Sequence, residues 1–142
     1  MKWRRHTVGL ILALTHAAAL PEGSGISVRD AWIREAPPGV GMMAGYMELR
    51  NSTANPQIFV AASSSGFESV TIHRTIVKDG LAGMVQVSQI ELAPQASFIF
   101  EPGGYHLMLM MPKRTLRAGD PVTVNLKMRD GFVLGAAFEV RK

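Results

Sequence analysis

Four residues have the types and spacing to do chemistry together: His73, Met84, His106 and Met108. The last two lie in "GGYHLMLMM", residues 103–111, where one imidazole sits among leucines and thioethers. Side chains on a strand alternate faces with period two. A strand through this stretch turns His106, Met108 and Met110 to one side and Leu107, Leu109 and Met111 to the other. The leucine side suits a core. The opposite side is a mixed imidazole and thioether surface.

A hairpin links the first two. "TIHRTIVKDGLAGMVQ" holds Asp79-Gly80 between apolar runs, a dipeptide suited to a two-residue hairpin turn. That turn pairs Lys78 with Leu81, so Thr75 falls opposite Met84 and His73 opposite Gln86. His73 and Met84 then share a face as a diagonal pair, roughly 7–8 Å apart at the backbone. One residue more or fewer in the loop would break this parity.

Two imidazoles and two thioethers form a soft, neutral donor set, which favours Cu(I). A zinc site would recruit Cys, His or carboxylate ligands instead. Neutral donors also give a second positive charge no anionic compensation, so Cu(I) is favoured over Cu(II). Taken singly, the same residues have plainer uses, because a strand histidine is commonly hydrogen-bonded at the surface and methionine commonly fills core gaps. The conjunction of the four is what points to a metal. Met42 and Met43 could supply a further thioether near a loop but are assigned to strand-start packing, and Met110, one step beyond the proposed ligands on their face, to packing or to support behind those ligands.

The elements that must position these residues read as short strands separated by turns. Segments 26–34, 42–51, 57–63, 69–77, 81–92, 97–102, 105–111, 122–128 and 132–140 are rich in Val, Ile, Phe and Tyr, with Gly, Pro and Asp-Gly breaks between them. No stretch has helical periodicity. Nine such strands predict an all-β fold, an antiparallel sandwich or barrel. Trp32, Tyr46 and Tyr105 are expected as core or edge aromatics, and Gly103-Gly104 as a tight turn into the histidine strand.

Residues 1–19 read as an export signal. Lys2, Arg4 and Arg5 precede the apolar run "TVGLILALTHAAAL", and Ala17 to Ala19 supply small residues for cleavage. Residues 20–27 are expected to be a flexible lead-in and 28–142 the folded domain, periplasmic or otherwise exported. The signal holds three of the 15 basic residues and no acidic one, leaving twelve against 11, a net charge of +1. The basic precursor therefore says nothing about nucleic acid, and no basic cluster with interleaved aromatics is present. The absence of cysteine excludes thiol catalysis, thiolate clusters and blue-copper electron-transfer sites.

The spacing of His73, ten residues, Met84, twenty-one residues, His106, one residue, Met108 resembles the signature of the PCu(A)C family of periplasmic copper chaperones. Supporting segments are "AW" at 31–32, "AGYMELRN" at 44–51, "DGLAGM" at 79–84, "PGGYHLML" at 102–109 and "LRAGD" at 116–120, so the likeness spans residues 28–141. The resemblance implies a cupredoxin-like Greek-key β-sandwich holding one Cu(I) per monomer through His73, Met84, His106 and Met108. It also implies delivery to the CuA centre of cytochrome c oxidase, alongside a Sco-type thiol protein. Two departures stand out. Arg74 replaces the Glu that commonly follows the first histidine, and "EVRK" ends the chain without the His- and Met-rich tail of some relatives. No second copper site is expected at that tail.

Two rival functions remain. An enzyme would need a nucleophile with its base, or paired carboxylates in a cleft, and neither is evident, so no catalytic residue and no small-molecule substrate is expected. A metal-free interaction or adhesion sandwich would keep the fold and bind no Cu(I).

Overall fold

Alternating apolar and polar residues, punctuated by turn formers, fold into ten strands in the computed structural model, which describes residues 25–142. The predicted signal at 1–19 lies outside the described residues. The strands are β1 (Ile26–Arg34), β2 (Met42–Asn51), β3 (Gln57–Ser63), β4 (Phe67–Lys78), β5 (Leu81–Gln86), β6 (Ile90–Leu92), β7 (Ser97–Phe100), β8 (Tyr105–Pro112), β9 (Pro121–Met128) and β10 (Val133–Arg141). Among the described residues there is no helix. Ile26 is buried, so the flexible lead-in assigned to 20–27 gives way to ordered strand two residues early.

Seven strands close on themselves in the order β4-β8-β2-β1-β10-β9-β3, and the bridge from Ala62 to Val70 joins β3 back to β4. β5, β6 and β7 are appended to β4, β3 and β2. Every pairing is antiparallel except that of β1 with β10. The all-β barrel expected from the sequence is what forms.

Alternation fills the barrel. On β9, Val122, Val124, Leu126 and Met128 point inward and the residues between them outward. Leu107 and Leu109 of β8, Ile72 and Val70 of β4, Met43 of β2 and Phe138 of β10 belong to the same buried cluster. Fully burying a side chain of this size contributes about 1.5–3 kcal/mol, which fixes the register of each strand.

One predicted strand is in fact two. The segment 81–92 divides into β5 on β4 and β6 on β3, with Val87 N–H still donating to the Ile72 carbonyl at 2.8 Å before the chain departs. Burial explains the break. Ile90 and Leu92 are in the core, whereas every residue of β5 is exposed. To bury the former, the chain must leave the hairpin and cross to another edge.

Candidate metal centre

The two histidines meet because β4 and β8 are neighbours in the barrel wall. Their antiparallel register pairs Ile72 with Leu107 and His73 with His106. The first pair faces the core, so the second faces outward. The imidazole centroids are 5.9 Å apart with planes inclined by 29°.

Each ring is held by one nitrogen and leaves the other without a protein partner. His106 Nδ1 lies 3.2 Å from the Gly104 carbonyl oxygen. A carbonyl only accepts, so this contact assigns the proton to Nδ1 and leaves Nε2 with a lone pair. His73 Nε2 lies 2.9 Å from the Thr71 hydroxyl, leaving Nδ1 free. Among the described residues, His73 Nδ1 and His106 Nε2 are the buried side-chain polar atoms that lack a hydrogen bond. An unsatisfied buried polar atom costs about 1–3 kcal/mol, so two on adjacent residues call for a ligand. Burial, and then the neighbouring His106, lowers the His73 pKa below its ordinary value of 6.5, favouring the neutral, ligating form.

The thioethers lie on the same face. Met108 is two residues from His106 and opposite Thr71. The Asp79-Gly80 turn has the expected form, with φ of 53° and 76° at its two residues, and pairs Lys78 with Leu81. Thr75 accordingly opposes Met84, and His73 opposes Gln86. Met84, on an edge strand, is 55% exposed, whereas His106 is 4% exposed. Met84, His106 and Met108 line one groove of about 270 Å³ together with Met42, Tyr46 and Val40.

The groove presents little anionic charge. Its one carboxylate, Glu35, accepts from the Ala118 N–H at 3.3 Å and pairs with Arg117 at 3.7 Å. Among the described residues, no three His, Cys, Asp or Glu side chains gather to hold a metal ion without thioethers. The Arg34 guanidinium, also on the groove wall, lies over the Trp32 and Tyr46 rings, 5.8 Å from each centroid.

The paired histidines lie on the outer wall of the barrel, close to the end of β8. They lie one pair from the point where β4 outruns β8, at Arg74 opposite Tyr105. From the overhanging β4–β5 hairpin, Met84 reaches the groove. Arg74 itself is exposed and lies over the Tyr105 ring at 5.9 Å, so it does not face His73.

Three contributors escaped the sequence reading. Thr71 orients His73, and its position two before the histidine on one strand was the available signal. The Gly104 carbonyl orients His106, and the turn glycine hid that backbone role. Met42 was set aside as packing, yet it is 41% exposed and lies in the groove. Met43, by contrast, is a core residue.

The closed all-β barrel with its appended strands is cupredoxin-like. The LpqE-like lipoprotein family profile matches residues 26–140. The chain is 32% identical over 136 residues to Lxx21020 of Leifsonia xyli subsp. xyli, named as a lipoprotein, with 94% of this chain and 81% of that one covered. It is similar to the Cu(I) form of DR1885 from Deinococcus radiodurans, with 32% identity, a TM-score of 0.64, and 79% and 75% of the two chains covered. The copper-bound PCuAC domain from PmoF2 shares the fold, with a TM-score of 0.70 at 21% identity over 89% of this chain and 98% of that one. The chain belongs to the LpqE-like family, and its barrel is of the PCuAC type.

Proposed function

We propose that this protein is an exported metallochaperone that binds one Cu(I) tightly through His73, Met84, His106 and Met108. The observation that carries the proposal is the pair of orphaned imidazole nitrogens on paired residues of adjacent strands, with His106 lining the same groove as the Met84 and Met108 thioethers. Their outer hydrogen bonds match the habit of ligating histidines, which donate the second ring N–H to a fixed acceptor. The soft, uncharged surroundings suit a monovalent ion. The copper-bound forms of related domains favour the same metal.

Carriage, and not catalysis, follows from the asymmetry of the donors. His106 is buried on a strand paired on both sides, whereas Met84 lies on an exposed edge strand. A partner donor entering the groove displaces Met84 first, and the imidazoles release the ion last. The acceptor we propose is the CuA centre of cytochrome c oxidase, with a Sco-type thiol protein as co-worker. Export rests on the signal read at residues 1–19 and on the lipoprotein designation of the family and of a relative.

The test is anaerobic Cu(I) loading, with competition against a calibrated chelator and an X-ray absorption count of nitrogen and sulfur neighbours. Wild type should take up one tightly held ion with two nitrogens and two sulfurs. His73→Ala and His106→Ala should each weaken binding by at least about 100-fold, above the usual range for outer-shell changes. Met111→Leu, at an exposed residue outside the site, should leave it unchanged. Equal affinity in all four proteins would refute the assignment.

A further inference from the structure

The site described above uses only one of three thioethers that lie together on its face. Met42 on β2 pairs directly with Met110 on β8, and Ala44 pairs with Met108. Directly opposed residues have Cβ atoms roughly 4.5–5.5 Å apart, and residues i and i+2 on a strand are separated by roughly 6.6–6.8 Å. Met42, Met108 and Met110 thus occupy three corners of a small quadrilateral. Ala44, the smallest side chain available short of glycine, leaves the fourth corner open.

Three other methionines show what packing looks like here. Met43, Met47 and Met128 are 4%, 2% and 1% exposed and belong to the core. Met42 is 41% exposed, and Met108 and Met110 are half-buried on the outer wall. Gap filling does not explain three thioethers facing away from the core. Their neighbours across β4 are Ser69 and Thr71, opposite Met110 and Met108, so the patch is uncharged on that side as well.

We infer that Met42, Met108 and Met110 form a second, weaker, all-thioether station for a soft monovalent cation, with Met108 common to both sites. The inference rests on the copper reading above and supplies the route by which the ion moves. An ion that leaves His73, His106 and Met84 keeps Met108 while Met42 and Met110 take the vacated positions. The step is ligand exchange alone: the metal–nitrogen bonds and one metal–sulfur bond break, two metal–sulfur bonds form, and the oxidation state is unchanged. The lack of imidazole donors makes this station the weaker one, as a point of transit requires.

Silver(I), a redox-inert soft ion, tests this by NMR of protein labelled with 13C at the methionine methyls. In chloride-free buffer, the first equivalent should move the Met84 and Met108 methyls and the imidazole signals. Excess Ag(I) should then move Met42 and Met110. In His73→Ala/His106→Ala protein, Met42, Met108 and Met110 should respond together while Met84 does not. Adding Met42→Leu and Met110→Leu should abolish that response. Met42 and Met110 signals that stay fixed under excess Ag(I) in wild type would overturn the station. So would their moving with Met84 in the first equivalent, which would mean a single enlarged site. If the imidazole signals never move, the primary copper site fails instead, and the two failures are distinguishable.

Discussion

At the scale of single residues, the chemistry depends on which nitrogen each imidazole leaves free. Thr71 holds His73 through Nε2 and so presents Nδ1, whereas the Gly104 carbonyl holds His106 through Nδ1 and so presents Nε2. Removing such an outer partner typically costs 10–100-fold in metal affinity. Thr71→Val, nearly isosteric, should therefore lower Cu(I) affinity by on the order of 10-fold without changing the sulfur count. Chelator competition and X-ray absorption measure the two quantities separately. The depressed pKa of His73 gives a second expectation. Its ring signals should titrate with a midpoint below 6.5, and a midpoint at or above that value would contradict the burial argument. The unfolded chain takes up this proton at higher pH than the folded one. The stability contributed by neutral His73 is thus complete above the unfolded value near 6.5 and is lost as pH falls toward the folded value. Denaturation of the metal-free protein across that interval checks the sign.

Among the elements, the β4–β5 hairpin places Met84 and does little else. All six residues of β5 are exposed, and Leu81 is 76% exposed, so the hairpin contributes little to the core. Parity, however, is decisive, since a one-residue slip turns every side chain of a strand to the opposite face. Inserting one glycine between Asp79 and Gly80 should reverse Met84 and weaken Cu(I) binding, while the melting temperature changes by only a few degrees, since each kcal/mol corresponds to roughly 2–8 °C in a domain of this size. A large drop in melting temperature would show that β5 supports the barrel after all. The same hairpin marks what the sequence makes legible. Its register could be counted because Asp-Gly fixes a two-residue turn and every pair follows from it. The contact of His73 with His106 could not, because it depends on β4 choosing β8 as neighbour across more than thirty residues. Nor could the break between β5 and β6, which no Pro or Gly marks at residues 87–89. Only the pull of the core on Ile90 and Leu92 makes it. The Gly104 carbonyl was similarly hidden, since its role exists only once the His106 ring has a direction.

Over the molecule as a whole, the site is backed by the barrel interior. Leu107 stands between His106 and Met108 in sequence, faces the other way and is fully buried. Truncating a residue of this kind costs about 2–5 kcal/mol, so Leu107→Ala should lower the unfolding free energy by about that amount, as chemical denaturation will show. A loss under 1 kcal/mol would mean that the wall behind the imidazoles is not packed as described. The same substitution should loosen Cu(I) binding less than His106→Ala, since it removes support and keeps every donor.

The parallel partnership of β1 and β10 sets Arg34 beside Arg141, and the Arg141 carbonyl accepts from the Glu35 N–H at 2.7 Å. Arg34 and Glu35 wall the methionine groove, while Ile26 pairs with Asn51 at the far end of the barrel. An affinity handle fused after Lys142 would consequently hang beside the groove mouth, where polyhistidine would compete for the cargo. The same handle ahead of Gly25 would sit a barrel's length away, and metal stoichiometry is best measured on protein tagged there.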